Sequence, residues 1–497
     1  MSQPRKQEET MKIDRRKFIS AAAALTPVLA ASPAQAACPA TPPHFNLNRR
    51  APALGDLTRG RRPNILLVLT DQERWPGNLP PTLVRPNFDR LRAHAVSFDH
   101  FFCAYPLCAP SRASIFSGLY PHQTGVTANL GIFDGKSQLS KRAPHLGSVA
   151  VSAGYRIGYK GKWDISRGPT SAWNNKDRGR AGDYSFEGHC GKLPDQEMGW
   201  ASDATITEEA CAWLREQDRA RPWFLCCSII NPHDICHPGL KPDASVRPDV
   251  VLPPTLHEDL AGKPSDQLRR RNRHDVRNDY ASYTDDDWRR FLSFYYDLIE
   301  STDRLLGRLL DTLADTGAAD DTIVIYTSDH GEMGGGHGMH GKYELYEEAA
   351  RVPLLISHSA LTAGSCSSFE SNVSVAPTLA ALIGADWPGP TAGNDLSPFL
   401  LDPATPGRDV TFFEHENRVN YGVYRDMNAA RCIRTERWKL VRTFLDVKDG
   451  ELYDLENDPG EATNLFHDTE HAGIRREFEE RLSGWQRETG DHKFLGG

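Results

Sequence analysis

The chain has no run of roughly 18 apolar residues of the kind that crosses a bilayer, which excludes a protein built on membrane helices. It also lacks a basic excess. Its 58 Lys plus Arg face 66 Asp plus Glu, a net charge of −8, the wrong sign for a nucleic-acid footprint. None of its ten cysteines stands in a Cys-x-x-Cys pair, the spacing typical of structural zinc, and no internal repeat is present. Apolar residues are not scarce: at 39% hydrophobic and 25% charged the composition is that of a globular protein, which excludes disorder. A length of 497 residues suits one large α/β core with a smaller appendage better than three small domains.

Residues 1–36 read as an address. Asp14-Arg15-Arg16-Lys17-Phe18-Ile19 opens an Ala-rich, weakly apolar run that ends in Ala34-Gln35-Ala36, the order of parts in a twin-arginine export signal. The expected partner is the twin-arginine translocase, the expected location periplasmic or secreted, and residues 37–61 are a linker. Because that route is similar to export of proteins already folded in the cytoplasm, a modification or cofactor can be installed first. An oxidising destination permits disulfides, whose connectivity sequence does not give. Cys226 and Cys227 lie within an apolar run and read as buried small hydrophobes.

What is present in quantity is short apolar runs closed by polar residues. Ile65 to Leu69 is a continuous apolar run, as in a strand buried on both faces, and ends in Thr70-Asp71-Gln72. Phe224 to Ile230 closes in Asn231-Pro232-His233, and Thr322 to Tyr326 closes in Thr327-Ser328-Asp329-His330. Tyr155 to Tyr159, before Lys160-Gly161-Lys162, and Val352 to Ile356 are weaker members of the set. Ligands gather beyond the carboxyl ends of strands in α/β sheets, so these terminators are assigned to one site. Between strands, Trp288 to Leu313 has apolar residues at three- and four-residue steps and predicts a packing helix.

Residues 168–200 and 233–285 are rich in Pro, Gly, Asp and Arg, with little periodicity, and read as substrate-binding insertions. Within them Arg269-Arg270-Arg271 and Arg273 are read as a solvated charged face rather than an anion contact, because Asp266, Asp275 and Asp279 interleave. The texture changes after residue 400. Val410 to Phe413, Arg431 to Arg434 and Trp438 to Arg442 predict short antiparallel strands, and Ile474 to Trp485 an amphipathic helix. The fold class is therefore α/β: a large, mostly parallel mixed sheet flanked by helices over 62–400, with a smaller antiparallel-sheet plus helix subdomain over 401–497.

Asp71, Asp329 and His330 end two of the clearest strands, and hard oxygen donors from two strands suit a divalent cation. The oxygen-bearing Gln72 directs the choice to calcium, with magnesium or manganese as alternatives, over a thiolate-bound metal. A single Asp at a strand end otherwise caps a turn; two such pairs after buried strands weaken that reading. Cys108-Ala109-Pro110-Ser111-Arg112 starts a helix whose N-terminus favours an anionic nucleophile or substrate. Arg112 supplies bidentate donors, and Lys162 and Lys342, each in a Gly-Lys pair, supply point charges suited to a tetrahedral oxyanion.

That pentapeptide resembles the Cys-x-Pro-Ser-Arg signature of type I sulfatases, of the alkaline phosphatase superfamily, in which a formylglycine-generating enzyme oxidises the cysteine to 3-oxoalanine. Gly161-Lys162-Trp163, Pro232-His233, Thr327-Ser328-Asp329-His330-Gly331, His337-Gly338-Met339-His340-Gly341-Lys342 and Arg351-Val352-Pro353 match in family order. Glu451-Leu452-Tyr453-Asp454-Leu455 is similar to the C-terminal signature, and the resemblance covers about residues 62–466. It implies an alkaline phosphatase-like fold, with Asp71, Gln72, Asp329, His330 and the modified Cys108 around the cation. It further implies that Arg112, Lys162, His233 and Lys342 hold the sulfate of a sulfate-ester substrate. One hydroxyl of the hydrated aldehyde would attack sulfur, and the second would expel sulfate.

Two departures bear on the branch. Asp71-Gln72 with Asp329-His330 looks like the pairs of choline sulfatases and phosphonate monoester hydrolases, and Asn129 resembles a substrate-binding Asn of that branch. Asp164 stands where a His normally assists collapse of the hydrate. Three readings stay open: Asp164 is the general base, His122 in Tyr120-Pro121-His122 replaces it, or Asp164 caps a turn. The leading expectation is an exported sulfatase, acting on a sulfated carbohydrate among other candidates. A phosphonate monoester hydrolase or phosphodiesterase, and a non-catalytic binder of sulfated glycans, are the alternatives.

Overall fold

The computed structural model describes residues 62–129, 138–166, 184–186, 199–236, 246–272, 280–416, 429–444 and 449–491. The export signal, the linker, Arg273, Asp275, Asp279 and most of the 168–200 insertion lie outside them.

Seven strands form the main sheet: β1 (Asn64–Asp71), β2 (Ala95–Phe102), β3 (Arg156–Gly161), β4 (Trp223–Pro232), β5 (Thr322–Ser328), β6 (Leu354–Ser357) and β7 (Gly364–Ser371), in the order β3-β4-β1-β5-β6-β2-β7. β3, β4, β1 and β5 run parallel, with Ile65 beside Phe224 on one side and Ile323 on the other. β6 is antiparallel to both neighbours, so one of the five anticipated runs points the other way. β1 explains the central position. Ile65, Leu67 and Leu69 pack into one apolar cluster while Leu66 and Val68 pack into another, and all five are fully buried. At roughly 1.5–3 kcal/mol per buried aliphatic side chain, a strand this apolar is stable only with helices on both faces.

Those helices separate into two layers. On the Leu67 side lie α2 (Cys108–Ser117), α4 (Leu146–Ser152), α9 (Val375–Leu382) and α10 (Ser397–Leu401). On the Leu66 side lie α1 (Pro86–Arg92), α5 (Gly199–Arg215) and α7 (Asp285–Asp315). The short α3 (Pro121–Thr124), α6 (Ser265–Arg271) and α8 (Glu347–Ala350) sit in connections. α7 buries Phe291, Tyr295, Leu298, Ile299, Thr302, Leu305, Leu306, Leu309 and Leu313, the predicted stripe. It starts at a reciprocal cap in which Asp287 N–H donates to Thr284 Oγ1 (3.3 Å) and Thr284 N–H to Asp287 Oδ2 (3.0 Å).

The second sheet is antiparallel, in the order β11-β10-β9-β8, from β8 (Val410–His415), β9 (Ala430–Thr435), β10 (Trp438–Thr443) and β11 (Gly450–Asp454). Ile433, Leu440 and Leu452 pack on Phe478, Leu482 and Trp485 of α11 (Ala472–Thr489). Its other face meets Phe102 and Phe369 of the main sheet through Phe413 and Val441. Among the described residues no helix is long and apolar enough to cross a membrane.

Candidate active site

Four neighbouring parallel strands end at one edge of the main sheet, and each delivers polar residues as it ends. β3 leads to Lys162, β4 to His233, β1 to Asp71 and Gln72, and β5 to Asp329 and His330. The turn after β3 requires glycine. Gly161 has φ +101, and a Cβ there would lie 1.8 Å from the Ser228 carbonyl oxygen, the same oxygen that accepts Lys162 N–H at 3.0 Å. Gln72 (φ +73) and Asp164 (φ +52) hold left-handed backbone without being glycine, at a cost of about 1–3 kcal/mol each. Such outliers persist where surrounding structure fixes them, and two fall at this edge.

Cys108 is the first residue of α2, fully buried. The next N–H, of Ala109, donates to Asn129 Oδ1 at 3.0 Å, so Asn129 stands beside Cys108 and caps its helix. Cys108 Sγ lies 3.3 Å from His330 Nε2 and 3.8 Å from Asp71 Oδ1, and Lys342 Nζ donates to it at 2.9 Å. His330 Nε2 is 3.7 Å from Asp71 Oδ1 and 3.5 Å from Asp329 Oδ1. One ligand atom each from Asp71, Cys108, Asp329 and His330 therefore falls within 4.8 Å of all the others.

The outer contacts aim those atoms inward. His330 Nδ1 donates to the Gly331 carbonyl at 2.9 Å, which leaves the Nε2 lone pair facing the cluster. Asp71 Oδ2 accepts from Lys162 Nζ (2.6 Å) and Arg112 Nη2 (3.2 Å), and Asp329 Oδ2 accepts from Arg112 Nε (2.7 Å). Asp71 Oδ1 is left toward the cluster, while Asp329 Oδ1 also accepts the Gln72 and His330 N–H groups at 3.1 and 2.9 Å. Gln72 Nε2 donates to Glu332 and to Cys236 Sγ (2.9 Å), turning Oε1 to Lys342 Nζ at 2.9 Å. Two carboxylate oxygens, an amide oxygen and a neutral imidazole fit a divalent cation.

The charges agree. Burial works against ionising Asp71, yet Lys162, His233, Lys342 and His330 hold its carboxyl well below the usual carboxylate range. Burial and then the Asp71 charge push Asp329 up to about 7, although His330 and Arg112 oppose the shift. Burial brings His330 down to about 4. Burial also opposes the charges of Lys162 and Lys342, but Asp71 and Cys108 overcome it and keep both ammonium groups charged.

Three expectations change. Arg112 does not present its fork to an open pocket: Nε and Nη2 hold the two aspartates, while Nη1 donates to the Lys162 carbonyl and Ser228 Oγ, both at 2.8 Å. Fully buried, it ties Asp71 to Asp329. His122 follows the far end of α2, a helix of about 15 Å at 1.5 Å per residue, and is not joined to the Cys108 cluster. Its ring bonds Glu414 Oε2 at 2.6 Å and lies against Tyr120 and Trp485. His122, Glu414 and Asp491 form a second group of metal-ligand type, but buried Arg431 already meets it, 2.7 Å from Asp491 and 3.4 Å from Glu414. The arginine run, finally, is not one solvated face: Arg269 is exposed and bonds local Ser265 (3.0 Å), whereas Arg270 is tucked against Glu344.

Asp164 Oδ2 lies 3.2 Å from Lys162 Nζ with a third of its side chain exposed. Sequence reasoning missed Glu332 and Cys236, which orient Gln72, and Tyr295, whose hydroxyl donates to the Gln72 carbonyl at 2.7 Å. Only Glu332, three residues past Asp329 in an unbroken polar stretch, carried a local signal.

A family model described as Sulfatase matches residues 63–385, and one described as N-sulphoglucosamine sulphohydrolase, C-terminal, matches residues 335–488. The chain belongs to the sulfatase family. It is a sulfuric ester hydrolase of alkaline phosphatase-like fold. An N-acetylglucosamine-6-O-sulfatase of Bacteroides thetaiotaomicron is 26% identical, over 87% of this chain and 88% of that one. A choline-sulfatase of Rhizobium meliloti is 29% identical over 82% and 83%. Among solved structures, the phosphonate monoester hydrolase of Agrobacterium radiobacter superposes with a TM-score of 0.70 at 24% identity, covering 86% of this chain and 96% of that one.

Proposed function

We propose that this sulfatase is exported by the twin-arginine route and hydrolyses a sulfate monoester of a carbohydrate to the free alcohol and sulfate. Residue 108, oxidised from cysteine to 3-oxoalanine by a formylglycine-generating enzyme, is the nucleophile. Asp71, Gln72, Asp329, His330 and residue 108 hold a divalent cation, calcium, with magnesium and manganese as the alternatives. The observation that carries the reading is the meeting, around Cys108 Sγ, of inward-facing donors from β1 and β5 with the Lys342 ammonium.

When present, the cation supplies Lewis-acid stabilisation of the sulfuryl oxygens. The oxidised residue supplies two hydroxyls, one to attack sulfur and one to release the sulfate. Everything else falls to side chains. Lys162, Lys342 and His233 surround the bound sulfuryl group with positive charge or N–H donors, in a site dry enough for each to count for more than in water. Arg112 holds the Oδ2 atoms of both aspartates, fixing the carboxylates that would hold the cation. Asn129 keeps the first turn of α2 in place. Asp164, paired with Lys162, is the base for release of sulfate, a task from which the distance of His122 removes the imidazole.

Support for a carbohydrate comes from the N-acetylglucosamine-6-O-sulfatase among the relatives. A second reading, a phosphonate monoester hydrolase, is favoured by the Asp71-Gln72 and Asp329-His330 pairs, which resemble that branch, and by the fold match. Turnover of sulfated mono- and oligosaccharides, a nitrophenyl sulfate and a nitrophenyl phosphonate, each with and without chelator, tests both. Sulfate esters should be cleaved fastest and chelation should abolish the reaction; faster phosphonate cleavage would reverse the assignment.

A further inference from the structure

The loop carrying Lys342 is strained and braced by its neighbours. Gly341 has φ +78 and Tyr343 φ +89, so Lys342 sits between two left-handed residues, one of them a bulky aromatic. Tyrosine in that conformation is strained and survives only where neighbours over-determine it. On the Cys108 side, Tyr343 N–H donates to the Pro106 carbonyl at 2.9 Å. From the segment after β5, Glu332 Oε1 accepts the Gly341 N–H at 2.6 Å and Met333 N–H donates to the Gly341 carbonyl at 2.7 Å, and further constraints come from the segment read in sequence as an irregular insertion. Arg270 of α6 donates to the Lys342 carbonyl, to the His340 carbonyl (3.4 Å) and to the Glu344 carboxylate, with its guanidinium carbon 5.4 Å from the Tyr343 ring centre. Tyr280 stacks on the His340 ring at 3.4 Å, and Tyr346 Oη donates to Gln267 Oε1 at 2.6 Å.

We propose that Arg270 is a positioning residue of the active site, acting through Lys342. Its planar fork holds the Lys342 peptide from behind, and the side chain then reaches Cys108 Sγ and Gln72 Oε1, each at 2.9 Å. Three of its partners are successive alternate residues, 340, 342 and 344, of a single loop. That convergence separates it from exposed Arg269, which bonds Ser265 of its own helix, and from Arg271, whose bond goes to the Glu258 carbonyl of its own segment at 2.6 Å. The insertion thereby takes part in the reaction by fixing one ammonium, in addition to any contact it makes with substrate. The inference rests on the reading of Lys342 as a sulfate-holding cation.

A double-mutant cycle on the full-length enzyme, oxidised at residue 108, tests it with nitrophenyl sulfate as substrate. Arg270→Met should lower kcat about 10- to 100-fold, the scale of a misplacement near 1 Å, and Arg270→Lys should recover part of the loss. In a Lys342→Met background the same Arg270→Met change should cost less than about 2-fold, because the group it acts through is gone. Where the double variant is too slow to follow, calorimetric affinity for inorganic sulfate supplies the same cycle with the same expectation. If Arg270→Met does not fold, Arg270→Lys and Arg270→Gln carry the comparison, with unfolding midpoints matched to the parent. Equal costs in both backgrounds overturn the clamp alone. Full activity in Lys342→Met overturns the role of Lys342 and the clamp with it.

Discussion

Arg112 and Asp164 show how far a residue's partners decide its task. Arg112 bonds both aspartates, the Lys162 carbonyl and Ser228 at once, a pattern open to a guanidinium fork and closed to an ammonium. Arg112→Lys should therefore fold yet lose about 10- to 100-fold in cation affinity, as changes behind metal ligands do; titration of the chelated protein with calcium measures it, and unaltered affinity would return Arg112 to the substrate. Lys162→Met should lower kcat by about 10²–10³, the worth of one donor at a developing charge. Asp164 separates by a pair of substitutions. Asparagine and glycine both tolerate its left-handed φ of +52. If Asp164 is the base, both variants lose turnover while keeping their unfolding midpoints; if it only shapes the turn, both stay active.

At the scale of elements, the strands easiest to read were those buried on both faces. β1, β4 and β5 are continuous apolar runs whose polar terminators become the site, so Asp71, His233, Asp329 and His330 were legible as a group. β2 and β7 were not: Ser97, Asp99 and His100 interrupt β2, and β7 is a serine-rich edge strand. The sheet is mixed as expected, with β6 its antiparallel member, a direction that an apolar run by itself does not encode. Arg270 was illegible for a different reason, since its partners lie about 70 residues away in a loop whose backbone strain has no sequence signal.

Between the sheets, Glu347 of α8 accepts from Arg434 Nε at 3.0 Å and lies 3.6 Å from Lys439 Nζ, while His100 stacks on Phe369 at 4.0 Å. Burial opposes the Glu347 charge, but Arg434, Lys439 and Arg351 bring it down to about 2; burial and then Arg351 bring His100 down to about 3. Both folded values are below the unfolded ones, 4.5 and 6.5, so on acidification the unfolded chain takes up the protons first. Stability present at neutral pH should fall as pH drops from 6.5 toward about 3 through His100, and from 4.5 toward about 2 through Glu347. Urea midpoints across that range measure the slope. Glu347→Gln should flatten its lower part and cost about 3–5 kcal/mol at neutral pH, the scale of an orphaned buried charge; an unchanged slope would show that Glu347 does not set it.

At the scale of the whole molecule, a three-layer core holds one sheet edge rigid while the connections bring further groups to it. α2 brings residue 108, and the loop after β5 brings Lys342. The most direct test of the chemistry takes one sample of the protein from its native host and measures two things on it. The peptide containing residue 108 is weighed by mass spectrometry, and nitrophenyl sulfate turnover is followed before chelation, after it and after calcium is restored. We expect an aldehyde at residue 108 in proportion to turnover, loss of activity on chelation with recovery on adding calcium back, and a folded but inactive Cys108→Ala variant. An intact thiol in fully active protein, or turnover indifferent to the chelator, would contradict the account.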